Sequence, residues 1–113
     1  MKYEQLKALK KELVNLGKEH GIKVYHYFND KPSGNYIVWS EDDTIRAFGD
    51  GVAGQKAVQG TVDYFTKIEY DPMVDLIDDA IMNTEFTYLD DGPTITYEDS
   101  TNYIHYQWIW EVI

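Results

Sequence analysis

AVQGTVDYFTKIEYDPMVDLIDDAIM, residues 57–82, places a strand pattern directly before a helix pattern, and its reading decides the class of fold. In the first part Val58, Gly60, Val62 and Tyr64 alternate with Gln59, Thr61, Asp63 and Phe65, the period of a strand with one apolar face. Asp71 and Pro72 then change the rhythm. Aspartate accepts hydrogen bonds from the free amides of a helix start, and proline suits the first helical position, where an N–H would go unpaired anyway. Over MVDLIDDAIM the period lengthens: Val74, Ile77 and Ile81, beside Met73 and Ala80, predict a buried stripe that leaves Asp75, Asp78 and Asp79 outward.

Upstream, Leu6, Leu9, Leu13 and Leu16 recur at spacings of three and four, which predicts an amphipathic helix from Tyr3 to Gly17. Gly17 and Gly21 are both candidates for its left-handed cap. IKVYHYF (22–28) and YIVWS (36–40) read as strands, and the turn residues of NDKPSGN between them predict an antiparallel hairpin. EDDT (41–44) reads as a break, TIRAF (44–48) as a short strand, and GDGVAG (49–54) as a flexible loop.

Downstream, EFTYL (85–89), TITYED (94–99) and NYIHYQWIWEVI (102–113) read as strands joined by DDGP and DSTN turns. In the last, Ile104, Tyr106, Trp108, Trp110 and Val112 alternate with Tyr103, His105, Gln107, Ile109 and Glu111, so the two sets face different surroundings. The element order predicts one α+β domain over residues 1–113: a mainly antiparallel sheet with two helices packed on one face. The second face is left rich in aromatic and polar groups, available to a neighbour.

Charge divides the chain. Residues 1–34 hold seven Lys against four acids, net +3, whereas residues 35–113 hold three basic against sixteen acidic groups, net −13. From Ile68 to Ile113 there is no Lys or Arg, yet eleven Asp and Glu. Such a surface repels nucleic acid, and the ten Tyr and three Trp suggest aromatic anchors for protein contacts. Cysteine is absent, which excludes disulfides and thiolate chemistry and fits an intracellular or otherwise redox-indifferent protein. Neither a signal peptide nor an apolar run of membrane-spanning length is present, so a soluble protein made in the cytoplasm is expected.

Motifs for catalysis are weak. Gly49, Gly51 and Gly54 spell G-x-G-x-x-G, but a strand pattern follows within a few residues where a dinucleotide fold needs a helix. The Asp pairs at 42–43, 78–79 and 90–91 lack the alternating oxygens of a calcium loop, and no lysine follows an acid at the spacing common in metal-dependent nucleases. His20, His26 and His105 are singletons without a metal or hydrolase motif. No cofactor, metal or catalytic residue is assigned.

The leading amphipathic helix, the hairpin containing YIVWS, the AVQGTVDYFTK strand, the helix opened by DPMVDLIDDAI and the closing hairpin ending YEDSTNYIHYQWIWEVI together resemble the small tail-terminator or tail-completion (head-tail joining) proteins of long-tailed bacteriophages and prophages. The resemblance implies a non-catalytic protein at the virion tail end, assembled in the host bacterial cytoplasm. It implies a self-associated ring, usually of six copies, that stops polymerisation of the tail tube protein and offers a surface to the head connector protein. DNA would pass through the ring without specific binding, which an acidic lumen favours.

Candidate interface residues are Asp50 and Gln55 in the loop, Tyr64 on its strand, and Tyr103, Trp108 and Trp110 at the end; the Trp pair is equally readable as core. A second reading is an acidic DNA mimic that inhibits a nucleic-acid-binding protein through Asp71, Asp75, Asp78 and Asp79 on the second helix. A third, weaker one is a small hydrolase using His26 and His105.

Overall fold

The computed structural model describes residues 3–27, 33–46, 56–84, 87–88 and 92–112. Two helices and six strands follow in the order α1 (Tyr3–His20), β1 (Lys23–His26), β2 (Tyr36–Arg46), β3 (Lys56–Thr66), α2 (Met73–Met82), β4 (Thr87–Tyr88), β5 (Thr94–Glu98) and β6 (Tyr103–Val112). All six strands join one sheet, with spatial order β1-β2-β3-β6-β4 and β5 also on β6. Every pairing but one is antiparallel. This is the α+β architecture that the alternation of periods predicts.

Both helices lie on one face. Leu6, Leu9 and Leu13 of α1 and Met73, Ile77 and Ile81 of α2 form a single buried cluster with Ile37, Trp39, Val58, Val62, Tyr64, Trp108, Trp110 and Val112 of the sheet. Helix α1 runs three residues beyond the expected end. Gly21, at φ 67°, supplies the left-handed turn after it, and the Ile22 amide bonds back to the Gly17 carbonyl at 2.9 Å. Gly17 lies inside the helix, and a β-carbon on it would strike the Ile22 carbonyl and Val24 as the chain folds back.

The start of α2 matches the expectation. Pro72 already has helical angles (φ −64°, ψ −15°), and Asp71 before it accepts the Met73 amide at 2.9 Å and, through its backbone carbonyl, the Val74 amide. Asp78 departs from it. Half-buried rather than fully outward, it accepts the Trp108 indole N–H at 3.0 Å.

Two features of the first strands correct the expectation. β1 does not form a hairpin with β2: the two run parallel, Lys23 beside Tyr36 through His26 beside Trp39. Turn residues signal that the chain bends, but the nine residues 27–35 are long enough to carry it back along the four-residue β1 and start β2 in the same direction, since about 3.3 Å per residue is available. The EDDT run also does not break β2. The ladder with β3 continues to Arg46, and a register shift between Glu41 and Asp43 absorbs one residue as a bulge.

At the other edge, β4 and β5 both run antiparallel to β6. Tyr88 pairs with Trp110 and Thr94 with Gln107, so both pieces lie along the same edge of β6; Asp90 and Asp91 of the expected DDGP turn lie outside the described residues. The DSTN turn closes β5 onto β6, with Asn102 at φ 63° and its amide bonded to the Glu98 carbonyl at 2.8 Å. Gly60 explains the tightest point of the sheet. A β-carbon there would collide with the Ser40 carbonyl and the Trp110 ring, so only glycine lets that indole lie flat over β3.

Candidate functional site: the uncovered sheet face

Alternation sends the other half of each strand to the face without helices. β3 contributes Gln59, Thr61, Asp63 and Phe65, and its neighbour β6 contributes Glu111, Ile109, Gln107 and His105 opposite them. β2 adds Tyr36 and Val38 beside Phe65 and Asp63, while β1 adds Lys23 and Tyr25.

At one end of this face the rings pack together. Tyr36 stacks on Phe65 at 4.7 Å, Phe65 stacks on His105 at 4.3 Å, and Tyr103 meets Tyr36 edge-on at 5.6 Å. Tyr25 adds a further edge-on contact to Tyr36. Tyr36 and Tyr103 are each only 8% exposed although neither is on the helix-covered side. They are buried by other rings, by the Lys67 ammonium 4.8 Å from the Tyr103 centroid, and by the 33–35 segment, whose Gly34 carbonyl accepts the Tyr103 hydroxyl at 2.8 Å. Burial, with Tyr103 next, pushes the Tyr36 hydroxyl pKa upward, so it stays protonated.

Beside the rings lies a polar network centred on Asp63. Its Oδ1 accepts from His105 Nε2 at 2.6 Å and Gln107 Nε2 at 2.9 Å, and its Oδ2 from the Thr61 hydroxyl at 2.9 Å. Because a carboxylate only accepts, Nε2 carries a proton in this arrangement. The other ring nitrogen lies 3.9 Å from Glu98. The network joins polar groups to one another across β3, β5 and β6, which rigidifies a surface; it does not aim a nucleophile and base at a common point.

The two remaining titratable clusters sit on the covered side. His26 lies against Trp39 at 3.8 Å and Tyr27 at 4.2 Å, both nearly parallel, with Nε2 2.8 Å from Glu41. Burial alone would raise the Glu41 pKa, but hydrogen bonds from Tyr27 and His26 outweigh it and the carboxyl ends below its ordinary 4.5. The same hydrogen bond, then burial, pushes the Tyr27 hydroxyl up to about 12. Near the start of α2, Asp71 is buried and accepts Tyr64 at 2.6 Å and Thr66 at 2.7 Å on Oδ2. Burial, then Asp71, holds the Tyr64 hydroxyl well above its ordinary range. A cavity of about 360 Å³ opens beside this group, between His20, Asn35, Ile68 and Leu76.

His26 and His105 therefore occupy opposite faces, on β1 and on β6 three strands away, roughly 14 Å across the sheet. They form no dyad, which removes the geometric basis of the hydrolase reading. Among the described residues no group of three acidic, His or Cys side chains is placed to hold a metal. No described helix is long and apolar enough to cross a membrane.

Of the residues singled out from sequence, Asp50 and Gln55 lie outside the described residues, as does the Gly49–Gly54 loop. Tyr64, Trp108 and Trp110 are all 0% exposed, under the helices. The correction follows from phase: they share the face of Val58 and Val62, which the helices cover, and within this chain they are core and not surface anchors. Tyr103 alone lies on the uncovered face, and the structure brings it together with Tyr36, Phe65, His105 and Asp63. These partners were legible as the opposite phase of the β3 and β6 alternation. What hid them was the choice of the tryptophans, whose size draws attention but decides nothing about face. The sequence matches no protein-family model and no curated protein.

Proposed function

We propose that the protein is a non-catalytic structural protein of a long-tailed bacteriophage or prophage, which forms a ring on the end of the tail tube, stops tube polymerisation and gives the head connector a surface. The observation that carries this reading is the uncovered face: a sheet with helices on one side only, whose other side holds a packed aromatic patch and a closed polar network. A half-buried sheet surface of this kind suits association with protein, since the rings left partly open, Tyr25 and Phe65, supply contact area at little conformational cost. The net charge of −10 suits a passage through which DNA must slide without adhering.

The DNA-mimic reading loses support from α2. Asp71 is buried under three hydrogen bonds and Asp78 is engaged by Trp108, so two of the four carboxylates on which it rested do not form a phosphate-like row.

Deleting the gene from its parent phage or prophage and measuring tails by electron microscopy of the induced lysate tests the reading. Overlong tubes without heads are expected. Normal-length tails beside filled heads would move the protein to the joining step, and intact infectious particles would overturn the structural role.

A further inference from the structure

We infer that the ring is sealed by strand pairing between copies, β5 of one chain adding to β1 of the next. The inference rests on the proposed ring and specifies which surfaces close it.

It starts from an edge that is unusually open. Four of the five residues of β5 are exposed and the fifth, Glu98, is half-buried; among the described residues β5 pairs with β6 alone. Ile95 and Tyr97, at 65% and 57% exposed, stand on the side of the sheet that the helices cover elsewhere but do not reach here. Edge strands in soluble proteins are ordinarily protected by charged side chains, proline or a bulge, and TITYE carries only one such group, the terminal Glu98. An apolar, β-branched and aromatic edge of this kind is a template for strand addition.

The opposite edge of the sheet supplies the occupant. β1 is the other terminal strand, four residues long, and in the described residues it pairs only with β2. Strands β1 and β6 point the same way and β5 the other. In a ring whose axis follows the strands, β5 therefore meets the β1 of the next copy antiparallel. Two different edges make a heterologous contact, the kind that closes rings.

One register satisfies both faces and charge. Placing Glu98 opposite the neighbour's Lys23 sets Tyr97 against Val24, Thr96 against Tyr25 and Ile95 against His26. Val24 and His26 share the face of Ile37 and Trp39, as Ile95 and Tyr97 share that of Tyr106 and Ile104, so the pairs Tyr97–Val24 and Ile95–His26 fall on the covered side. Lys23 and Glu98 meet on the uncovered side, joining the basic half of one chain to the acidic half of the next. A shift of one residue would reverse every face.

The test uses the purified full chain at up to about 1 mM, a regime in which even weak mM association is populated. A Val24→Cys, Tyr97→Cys double variant, oxidised mildly, is expected to give a ladder of disulfide-linked oligomers on denaturing gels. Lys23→Glu and Glu98→Lys should each lower the oligomer mass seen by native mass spectrometry, and the two together should restore it, a rescue that misfolding would not produce. Rings that persist unchanged in Thr96→Pro and in both charge reversals would place the seam elsewhere while leaving the ring intact. Disulfide dimers from Tyr97→Cys alone would mean β5 pairing with itself and overturn the inference. A wild-type chain that stays monomeric throughout would overturn seam and ring together.

Discussion

On β3, Val62 and Tyr64 are fully buried beneath the helices, while Thr61, Asp63 and Phe65, one residue away along the same strand, stay half-buried on the other side. The covered face is held by many apolar contacts to α1 and α2, so a change of side-chain volume there is felt in stability. The uncovered face is held by pairwise ring stacks and hydrogen bonds, among them the Tyr103 hydroxyl to the Gly34 carbonyl. Two faces of one sheet are thus held by different forces, and substitutions on them are expected to fail differently.

The largest effects should come from the covered face. Trp110→Ala is expected to cost about 3–5 kcal/mol in urea-induced unfolding, as for other buried aromatics. Gly60→Ala should cost about 3 kcal/mol, the upper part of the range for overpacking, because the added carbon meets both the Ser40 carbonyl and the Trp110 ring. If Gly60→Ala were neutral, the close packing of that indole on β3 would be wrong.

Next comes Asp71, which ties the covered side of β3 to the start of α2. Asp71→Ala removes a helix cap, about 1 kcal/mol, and orphans the buried Tyr64 and Thr66 hydroxyls, for a total of roughly 3 kcal/mol by denaturant titration. Asp71→Asn keeps a cap and an acceptor and should cost clearly less.

On the uncovered face Phe65→Ala should lose about 2 kcal/mol, from its two ring stacks and the partial burial of the ring. A loss as large as that of Trp110 would mean that the face is a second core.

The Tyr27–Glu41 pair gives a pH signature smaller still. The Glu41 carboxyl is lowered in the folded chain, so the stability it lends is present above its ordinary 4.5 and lost as pH falls through the folded value. Tyr27 works at the other end: raised from 10.0 to about 12, it lends stability that is present below pH 10 and lost as pH climbs toward 12. Unfolding midpoints measured across pH should lose the acid step in Glu41→Gln and the alkaline step in Tyr27→Phe. Tyr27 is 60% exposed and Glu41 half-buried, so solvent screening should keep each step slight.

The comparison also shows what a sequence carries. Strand and helix periods were plain in residues 57–82, and so was the cap at Asp71. Its second role was not, because hydrogen bonds from Tyr64 and Thr66 depend on β3 passing beside the start of α2, a tertiary fact. The parallel pairing of β1 with β2 was hidden since turn residues report a bend and not how many reversals follow. The burial of Trp108 and Trp110 was hidden for a related reason: alternation separates two sets of residues but does not say which set the helices will cover.

The most direct test of the central claim is tail length in a deletion strain complemented with Glu111→Lys, a change on the uncovered face that should leave folding within about 0.5 kcal/mol of wild type. Electron microscopy of the lysate is expected to show overlong or headless tubes from a chain that unfolds at the wild-type midpoint. Tails of normal length bearing heads would contradict the assignment of that face to assembly.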